Sequence, residues 1–320
     1  MQYRSLGRTG LQVSEIGFGA WGIGGQMWKG GDDKQSLKAL HRAVEKGINF
    51  FDTALAYGNG HSESLIGKLL EEREEELLVA TKIPPFNQRW PAQGTLEEAF
   101  PRHHIVNSVE TSLKNLGQDC LDLVQLHVWD PSWARDLRWH EALCDLRQMG
   151  RLRFFGISIN DHQPQTAREV VERGLVDCVQ VIYNIFDQSP ADELFQLCSE
   201  KRVGVIVRVP FDEGALTGKV TPDTHFSRRD WRSRYFAGER KEQVWERVQK
   251  IVSETGIELE QLPALALRFC LQPKAVGTVI PGMRRVEHVE ANAAVSDLGS
   301  LEEETLQILR SQRWEKNFYP

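Results

Sequence analysis

The sequence predicts an α/β protein of the (β/α)8 class, a TIM barrel with an N-terminal hairpin and an extra C-terminal helix. Short apolar segments and helical patterns alternate eight times along the 320 residues. Such alternation is typical of parallel strands joined by crossover helices. The apolar segments are short and largely apolar on both faces, as in a closed barrel whose strands are covered on both sides. We therefore expect residues 1–320 to form a single domain.

The predicted strands are short apolar runs that end at polar or turn residues. They are Glu15–Gly19, Asn49–Asp52, Leu77–Thr81, Leu121–Leu126, Phe154–Ser158, Cys178–Ile182, Val203–Val209 and Thr278–Ile280. The helices between them carry apolar residues at helical spacing, as at Ile105, Val109 and Leu113. They are Lys34–Lys46, Ser62–Glu72, Arg102–Leu116, Arg138–Met149, Pro164–Arg173, Ala191–Lys201, Lys241–Thr255 and Val286–Ala293.

Three segments lie outside this alternation. Tyr3–Val13 places Gly7-Arg8-Thr9-Gly10 between short apolar stretches, which predicts a hairpin closing one end of the barrel. Leu301–Ser311 predicts the extra helix. Pro210–Arg240, after the seventh strand, predicts a long connection, and such a loop in a compact domain is usually functional or mobile.

One motif favours a competing architecture, a doubly wound sheet with a dinucleotide-binding fold. Gly17-Phe18-Gly19-Ala20-Trp21-Gly22 matches GxGxxG directly after a predicted strand. That fold requires a helix to begin at the motif, so that the helix N-terminus can hold a pyrophosphate. The chain continues with more glycines, and a helix cannot start before Asp32. We therefore interpret the motif as a turn-rich loop over the barrel mouth.

Bulk properties exclude several classes of protein. The net charge of −6 and the pI of about 5.9 argue against a protein that coats nucleic acid. The N-terminal residues lack the apolar core of a signal peptide, and no apolar run reaches the roughly 20 residues of a membrane span. The five cysteines are dispersed without a CxxC or Cys/His cluster, which predicts reduced thiols, a cytoplasmic location and no metal site.

Polar side chains follow three consecutive predicted strands. Asp52 ends the second strand and Tyr57 lies in the loop behind it. Lys82 follows the third strand and His127 the fourth. The C-terminal strand ends form the active-site face of such a barrel and adjacent strands lie about 4.8 Å apart, so these groups can converge. Each also has an ordinary explanation as a helix cap, surface ring, solvated amine or core histidine, but their succession favours one shared site.

These groups suit proton delivery to a carbonyl oxygen. A free phenol has a pKa of about 10, and a nearby ammonium lowers it. Lys82 would act in this way on Tyr57, with Asp52 keeping the ammonium charged, so that Tyr57 becomes a general acid. His127 could donate a hydrogen bond to the same oxygen. With hydride from a nicotinamide, the chemistry is carbonyl reduction.

At these residues the chain resembles the aldo-keto reductase superfamily, in particular its bacterial members. The resemblance rests on Asp52-Thr53-Ala54-x-x-Tyr57-Gly58, Ala80-Thr81-Lys82 and Asp122-Leu123-x-x-x-His127, and it extends over nearly the full length. It implies a barrel that binds NADP(H) without a dinucleotide-binding fold. The catalytic tetrad that it implies is Asp52, Tyr57, Lys82 and His127.

The resemblance also implies which residues bind the cofactor. Ser158, Asn160 and Gln180 would hold the nicotinamide carboxamide, while residues 210–219 would cover the pyrophosphate. Arg208 stands where many relatives place an aromatic residue, so it would stack on the nicotinamide or contact substrate. The full implied set is Trp21, Asp52, Ser158, Asn160, Gln180, Arg208, Pro210, Phe211, Leu216, Gly218, Lys219, Ile280, Gly282, Arg284, His288 and Asn292.

The predicted adenosine end favours NADP over NAD. Arg284 and Arg285 precede a predicted helix, where each cation opposes the helix dipole by roughly 0.3–1 kcal/mol unless an anion binds. Arginine suits bidentate contacts to a phosphate such as the 2′-phosphate of NADP. A solvated basic turn is the simpler alternative. His288 and Ala291 replace residues that are common in relatives, which weakens the preference.

The substrate pocket is predicted among the loops at the barrel mouth. The leading candidates are Trp21, Tyr57, Phe86, His127 and Trp129, and further aromatic or apolar candidates are Met27, Trp28, Trp90 and Trp133. Loop packing explains these rings equally well. Aromatic walls fit aldehydes, ketones and sugar rings, so the sequence does not choose among them.

The sequence therefore predicts an NADP(H)-dependent oxidoreductase acting on a small-molecule carbonyl or alcohol, with homo-oligomer formation left open. An NADPH-binding regulatory or sensor subunit on the same fold is the main alternative. A barrel lyase or isomerase is a third, although it would need neither the nicotinamide-binding set nor the arginines.

Overall fold

The structure, a computed structural model, describes residues 1–25, 32–228, 230–314 and 318–319. The strands are β1 Tyr3–Ser5, β2 Gln12–Ser14, β3 Phe18–Gly19, β4 Phe50–Asp52, β5 Leu78–Ile83, β6 Leu121–Leu126, β7 Leu152–Ser158, β8 Cys178–Ile182, β9 Gly204–Arg208 and β10 Val276–Val279. The helices are α1 Asp33–Glu45, α2 His61–Glu72, α3 Leu96–Ala99, α4 Arg102–Leu116, α5 Arg138–Gln148, α6 Arg168–Glu172, α7 Leu194–Lys201, α8 Arg232–Tyr235, α9 Arg240–Thr255, α10 Leu262–Cys270, α11 Val286–Ala294 and α12 Glu303–Ser311.

Strands β3 to β10 form one parallel sheet in which each strand pairs with its neighbours in chain order. Its two edges meet, because Gly17 N–H donates to the Val279 carbonyl at 2.8 Å and Gly19 N–H donates to the Pro281 carbonyl at 3.0 Å. Parallel bridges between Ile16 and Val279 and between Gly19 and Gly282 mark the same seam. The predicted (β/α)8 barrel is therefore confirmed, and the doubly wound alternative is excluded because an open sheet would leave both edges unpaired.

The predicted hairpin is also present, and it closes the end of the barrel opposite the C-terminal strand ends. Strands β1 and β2 pair antiparallel, and the turn side chain Leu6 is fully buried. Leu6 lies so close to β9 that a Cβ on Gly204 would approach its Cδ1 to 2.7 Å. Its apolar neighbours continue into the barrel interior through Phe50 and Leu123. This packed core leaves the opposite end of the barrel as the face where strand-end side chains gather.

Helix α10, which lies between α9 and β10, was not predicted from the sequence. Most of its side chains are buried, including Leu262, Leu265 and Phe269, so it lacks the polar face that reveals an amphipathic helix. Its proline stands in the first turn, where no backbone donor is needed. The predicted C-terminal helix is confirmed as α12. Across the described ranges, no helix combines the length and apolarity that crossing a membrane requires.

Candidate active site

A buried ion pair joins the C-terminal ends of β4 and β5. Lys82 Nζ lies 2.6 Å from Asp52 Oδ1, and the exposed fractions of the two side chains are 0% and 3%. Lys82 also donates to the Thr53 carbonyl at 2.8 Å, and Gln180 Nε2 donates to Asp52 Oδ2 at 2.7 Å. Burial raises the pKa of Asp52, and the Lys82 ammonium and the Gln180 amide oppose that rise. The carboxylate is thus held on both oxygens, by Lys82 from the adjacent strand β5 and by Gln180 from β8 across the barrel.

Tyr57 lies over this pair. Lys82 Nζ is 5.1 Å from the centroid of the Tyr57 ring. Burial raises the pKa of Tyr57, while the Lys82 charge lowers it and the Asp52 charge raises it. The sequence predicts a lowered pKa. Lys82 does act in that direction, but desolvation outweighs it, so the phenol keeps its proton at neutral pH.

His127 completes the cluster from the end of β6. Its ring centroid lies 5.6 Å from that of Tyr57 in an edge arrangement, and its backbone N–H donates to the Ile83 carbonyl at 3.0 Å. Burial lowers the pKa of His127 well below 6.5, and the charges of Lys82 and Arg208 lower it further. The imidazole is therefore neutral near pH 7. Its buried Nδ1 has no hydrogen-bond partner within the described part of the chain.

The residues predicted to hold a nicotinamide lie on the next strands around the barrel. Ser158, which is buried, stands beside Gln180 in the register of β7 and β8. Asn160 connects three loops, because its Oδ1 accepts from the N–H of Ala92 at 3.4 Å and of Trp129 at 3.3 Å. Through Gln180, this set is hydrogen-bonded directly to Asp52. The structure therefore brings the nicotinamide-binding candidates and the tetrad to one face.

Arg208 ends β9 beside this group. Its Nη2 donates to the Ile159 carbonyl at 2.9 Å and to Asp161 Oδ1 at 2.7 Å. Its Nε is buried and has no hydrogen-bond partner among the described residues. A buried guanidinium N–H without an acceptor is costly, and a polar group bound in the mouth would satisfy it.

The loop after β9, residues 209–219, is named the β9 loop here. It contains non-glycine residues with positive φ at Val209, Asp212 and Glu213, with values of 55°, 45° and 56°. A Cβ added at Gly214 would meet nothing within 4 Å, and the same is true of Gly282 in the loop before α11. These open backbone positions leave room for a ligand to approach the chain closely.

Cations gather at the N-terminus of α11. Burial lowers the pKa of Arg284, and the charges of Arg232 and Arg285 lower it further. Burial also lowers the pKa of His288, and the charges of Lys219, Arg284 and Arg285 lower it further. The stem of Arg284 packs on Gly22, where a Cβ would come within 2.7 Å of Arg284 Cδ. The Asp230 carboxylate pairs with Arg232 at 2.7 Å and balances part of this positive charge. The excess of arginine charge at a helix N-terminus fits a further anionic ligand.

The aromatic candidates for the substrate pocket separate into two groups. Trp21 and Trp90 lie against the tetrad, with ring centroids 6.4 Å from Tyr57 and 4.7 Å from His127 respectively. Phe86 is 54% exposed and contacts His103 and His104 instead. Met27 and Trp28 lie outside the described residues.

Trp129 and Trp133 differ from the prediction. Both rings are buried, and they pack edge-on against each other with Trp129 also against Trp139. Trp129 Nε1 donates to the Thr166 carbonyl at 3.1 Å, in the loop after β7. A fully buried ring enclosed by other tryptophans has no free face for substrate, so these two residues serve loop packing.

A second aromatic wall of the mouth was not predicted from the sequence. Trp231, from the long connection, lies 5.9 Å from Trp21 between ring centroids, and Tyr319 stacks on Trp231 at 5.3 Å and 13°. Tyr319 O–H donates to Glu213 Oε1 at 2.6 Å. The concentration of Trp314, Phe318 and Tyr319 near the end of the chain was the available signal, because exposed rings at such density are costly.

A model of the aldo/keto reductase family matches residues 15–313. The chain belongs to this family of oxidoreductases. Members use nicotinamide cofactors, and the four residues of the predicted tetrad converge in the structure. Within the described ranges, no group of three or more His, Cys, Asp or Glu side chains could hold a metal ion.

Similar proteins cover much of the chain. Aldo-keto reductase YhdN of Bacillus subtilis is 33% identical over 73% of this chain and 69% of its own length. The NADH-specific methylglyoxal reductase of Escherichia coli is 28% identical over 92% and 93%. A probable voltage-gated potassium channel subunit beta of Arabidopsis thaliana is 28% identical over 93% and 92%. The holo form of aldo-keto reductase AKR11C1 from Bacillus halodurans superposes with a TM-score of 0.78 at 28% identity, covering 98% and 96%.

Proposed function

We propose that this aldo/keto reductase is an NADP(H)-dependent enzyme that reduces an aldehyde, ketone or sugar carbonyl to the alcohol, or catalyses the reverse reaction. The observation that carries the proposal is the placement of a protonated phenol between an ammonium and a neutral imidazole. Lys82 lies 5.1 Å from the Tyr57 ring centroid, and the rings of Tyr57 and His127 lie 5.6 Å apart. This geometry supports the delivery of one proton to one carbonyl oxygen.

Some of these residues would transfer the proton, and the others would stabilise the charges that form during the reaction. A bound nicotinamide supplies the hydride that reaches the carbonyl carbon. Tyr57 donates its proton to the developing alkoxide, and the Lys82 ammonium stabilises the phenolate that remains. Asp52 keeps that ammonium in place, and a neutral His127 donates an N–H hydrogen bond to the same oxygen. In the reverse direction, the Tyr57 phenolate accepts the proton from the alcohol.

Support for NADP rather than NAD comes from the basic group at α11. Arg284 and Arg285 share this region with Lys219 and Arg232, and the Asp230 carboxylate, paired with Arg232 at 2.7 Å, balances part of the positive charge. A 2′-phosphate would add a further anion there, and NAD carries none at that position. One relative is named as specific for NADH, so coenzyme preference differs within the family. Nicotinamide fluorescence titration should therefore give a lower Kd for NADPH than for NADH.

The decisive experiment measures NADPH oxidation across a panel of aldehydes and ketones. Loss of a positioned general acid typically reduces the rate about 10²- to 10⁴-fold, and we expect Tyr57→Phe to show that loss with NADPH affinity retained. Tyr3→Phe is the matched control, since Tyr3 donates to the Gly47 carbonyl in the hairpin region at the other end of the barrel. Turnover of Tyr57→Phe at the wild-type rate would remove Tyr57 from its role.

A regulatory subunit that binds NADPH is the second candidate, favoured by the similarity to a potassium channel subunit beta. It predicts tight NADPH binding with no turnover of any carbonyl in the panel, and no difference between wild type and Tyr57→Phe. The same assays therefore separate the two functions. A cytoplasmic location and a homo-oligomeric state remain predictions of the sequence.

A further inference from the structure

The last described residues of the chain pack against the β9 loop. We name Arg313, Trp314, Phe318 and Tyr319 the tail segment. Trp314 anchors it, since its N–H donates to the Phe186 carbonyl at 2.9 Å and its ring packs edge-on against Phe186. From there the segment reaches the barrel mouth, where Tyr319 O–H donates to Glu213 Oε1 at 2.6 Å. The tail segment thus contacts the loop that lies between Arg208 and Lys219.

The β9 loop needs external support because its backbone is strained. Positive φ is rare outside glycine, and for the β-branched Val209 it is a genuine outlier. Such conformations persist only where the surroundings over-determine them. Neither Asp212 nor Glu213 can relieve the strain alone, since both are buried and held by partners from other segments.

Two sets of contacts fix these consecutive acids. Asp212 accepts from Tyr235 O–H at 2.5 Å and from Arg240 Nη2 at 2.9 Å. Glu213 accepts from Tyr319, whose pKa burial raises well above 10, so the phenol remains a donor. The rings of Trp314 and Phe318 also cover the guanidinium of Arg240. The tail segment therefore contributes to the support of both acids.

Tyr319 also belongs to the aromatic wall of the mouth. Its ring stacks on Trp231, Trp231 contacts Trp21, and Trp21 contacts Tyr57. On its other side the Tyr319 ring lies 5.7 Å from that of His162. The position of Tyr319 is thus fixed from both sides, which suits a residue that holds a strained loop.

We propose that Tyr319 is a positioning residue for the cofactor, holding Glu213 so that the β9 loop keeps the shape that covers the phosphates of NADP(H) and slows their release. This inference rests on the proposed function, because it assumes that the β9 loop contacts the cofactor. Tyr319 acts through Glu213, to which its hydroxyl donates. Its loss should weaken cofactor retention without removing the chemistry.

The test combines loop protection with cofactor release. Tyr319→Phe removes only the hydroxyl and keeps the stack on Trp231. Glu213→Gln keeps an acceptor for Tyr319, and Tyr3→Phe is the matched tyrosine control.

In cofactor-free protein, Tyr319→Phe should increase amide hydrogen exchange in residues 209–219 while the barrel strands stay protected. Stopped-flow fluorescence should show an NADPH dissociation rate raised about fivefold to tenfold, the scale of one lost ordinary hydrogen bond. Glu213→Gln should change release less than Tyr319→Phe.

The outcomes separate this inference from the proposed function. Normal NADPH binding with release and loop exchange unchanged in Tyr319→Phe would overturn the positioning role alone. Absence of NADPH binding by wild-type protein would overturn the proposed function and the retention role together. Exchange that rises equally in the strands and the loop would show general destabilisation and would also overturn the positioning role. Tyr319→Phe in a Glu213→Ala background should cause no further change, because the acceptor is already gone.

Discussion

Two buried ion pairs on the same side of the molecule differ in what supports them. Lys82 and Asp52 belong to adjacent strands, and every contact that holds them comes from the barrel mouth. Arg240 and Asp212 are equally buried, with exposed fractions of 3% and 4%, but they join a helix start to a strained loop. The buried Nε and Nη1 of Arg240 have no hydrogen-bond partner among the described residues, and aromatic rings cover them instead.

The difference shows how two parts of the barrel mouth are held in place. We call the part around Asp52, Lys82, Tyr57 and His127 the catalytic half, after its proposed role, and the part formed by the β9 loop, Arg240 and the tail segment the loop half. Backbone pairing of β4 and β5 sets the distance between Asp52 and Lys82, so the pair that we propose for catalysis is held in place by the sheet itself. The pair at Arg240 is supported by cation–π contacts with Trp314 and Phe318 of the tail segment, which no strand pairing holds in register. The catalytic half is preorganised by the sheet, and the loop half is held by side chains.

The largest expected effect tests this contrast through stability. Lys82→Met leaves Asp52 buried without its partner and should lower the free energy of unfolding by about 3–5 kcal/mol. Arg240→Met should cost less, about 1–3 kcal/mol, because Tyr235 still donates to Asp212 and the loop can admit water. Urea denaturation at pH 7 measures both.

A double variant controls that experiment. Asp52→Asn combined with Lys82→Met removes both charges and should recover a large part of the loss seen in Lys82→Met. An equal or greater loss in Arg240→Met than in Lys82→Met would mean that the two pairs are equally rigid, and the contrast between the halves would fail.

The same contrast explains what the sequence could predict. Asp52, Lys82 and His127 each follow an apolar run, and the barrel brings the ends of such runs to one face, so their convergence follows from topology. Helix α10 was not predicted, because most of its side chains are buried and it lacks the periodic alternation of apolar and polar residues on which prediction depends.

The loop half could not be predicted in this way. Glu213 and Tyr319 are separated by 106 positions, and no periodicity relates a loop to a tail. The prediction for Trp129 was wrong for the same reason, because a loop tryptophan packs inward or outward according to neighbours such as Trp133 and Trp139 that only the tertiary structure brings together. The direction of the Tyr57 pKa was also missed, since the extent of burial cannot be read from sequence spacing.

A smaller effect concerns the pH dependence of the loop half. Burial raises the pKa of Glu213 from 4.5 to about 7, with Asp212 and Asp161 adding to the rise and the hydrogen bond from Tyr319 opposing it. The folded state therefore favours the protonated acid, so this contribution to stability is complete below pH 4.5 and is lost as the pH rises through 7. A difference of this size corresponds to roughly 3 kcal/mol.

Glu213→Gln removes this titration and gives the measurement. The free energies of unfolding of wild type and variant, measured in urea from pH 4.5 to 8, should diverge by up to about 3 kcal/mol. The free energy of unfolding of the wild type should fall relative to that of the variant as the pH increases. Tyr57→Phe at the rigid half should not reproduce this divergence, since a phenol protonated throughout that range does not titrate. Parallel curves for Glu213→Gln and wild type would place Glu213 in contact with water and weaken the picture of a tightly held loop.

The smallest expected effect lies at the rim of the catalytic half. The Trp90 ring meets His127 edge-on at 4.7 Å while 45% of the residue stays exposed, so one face is available to a substrate that reaches the tetrad. An aromatic contact of this kind is worth about 0.5–1.5 kcal/mol, and Trp90→Ala should therefore raise KM for an aromatic aldehyde about twofold to tenfold with little change in kcat. Phe86→Ala should raise KM less, because Phe86 contacts His103 and His104 instead of the tetrad.

Steady-state kinetics with benzaldehyde and propanal measure KM and kcat for both variants. A larger effect at Phe86 than at Trp90 would mean that substrate enters over the outer rings, and a fall in kcat for Trp90→Ala would mean that Trp90 orients His127 as well as substrate.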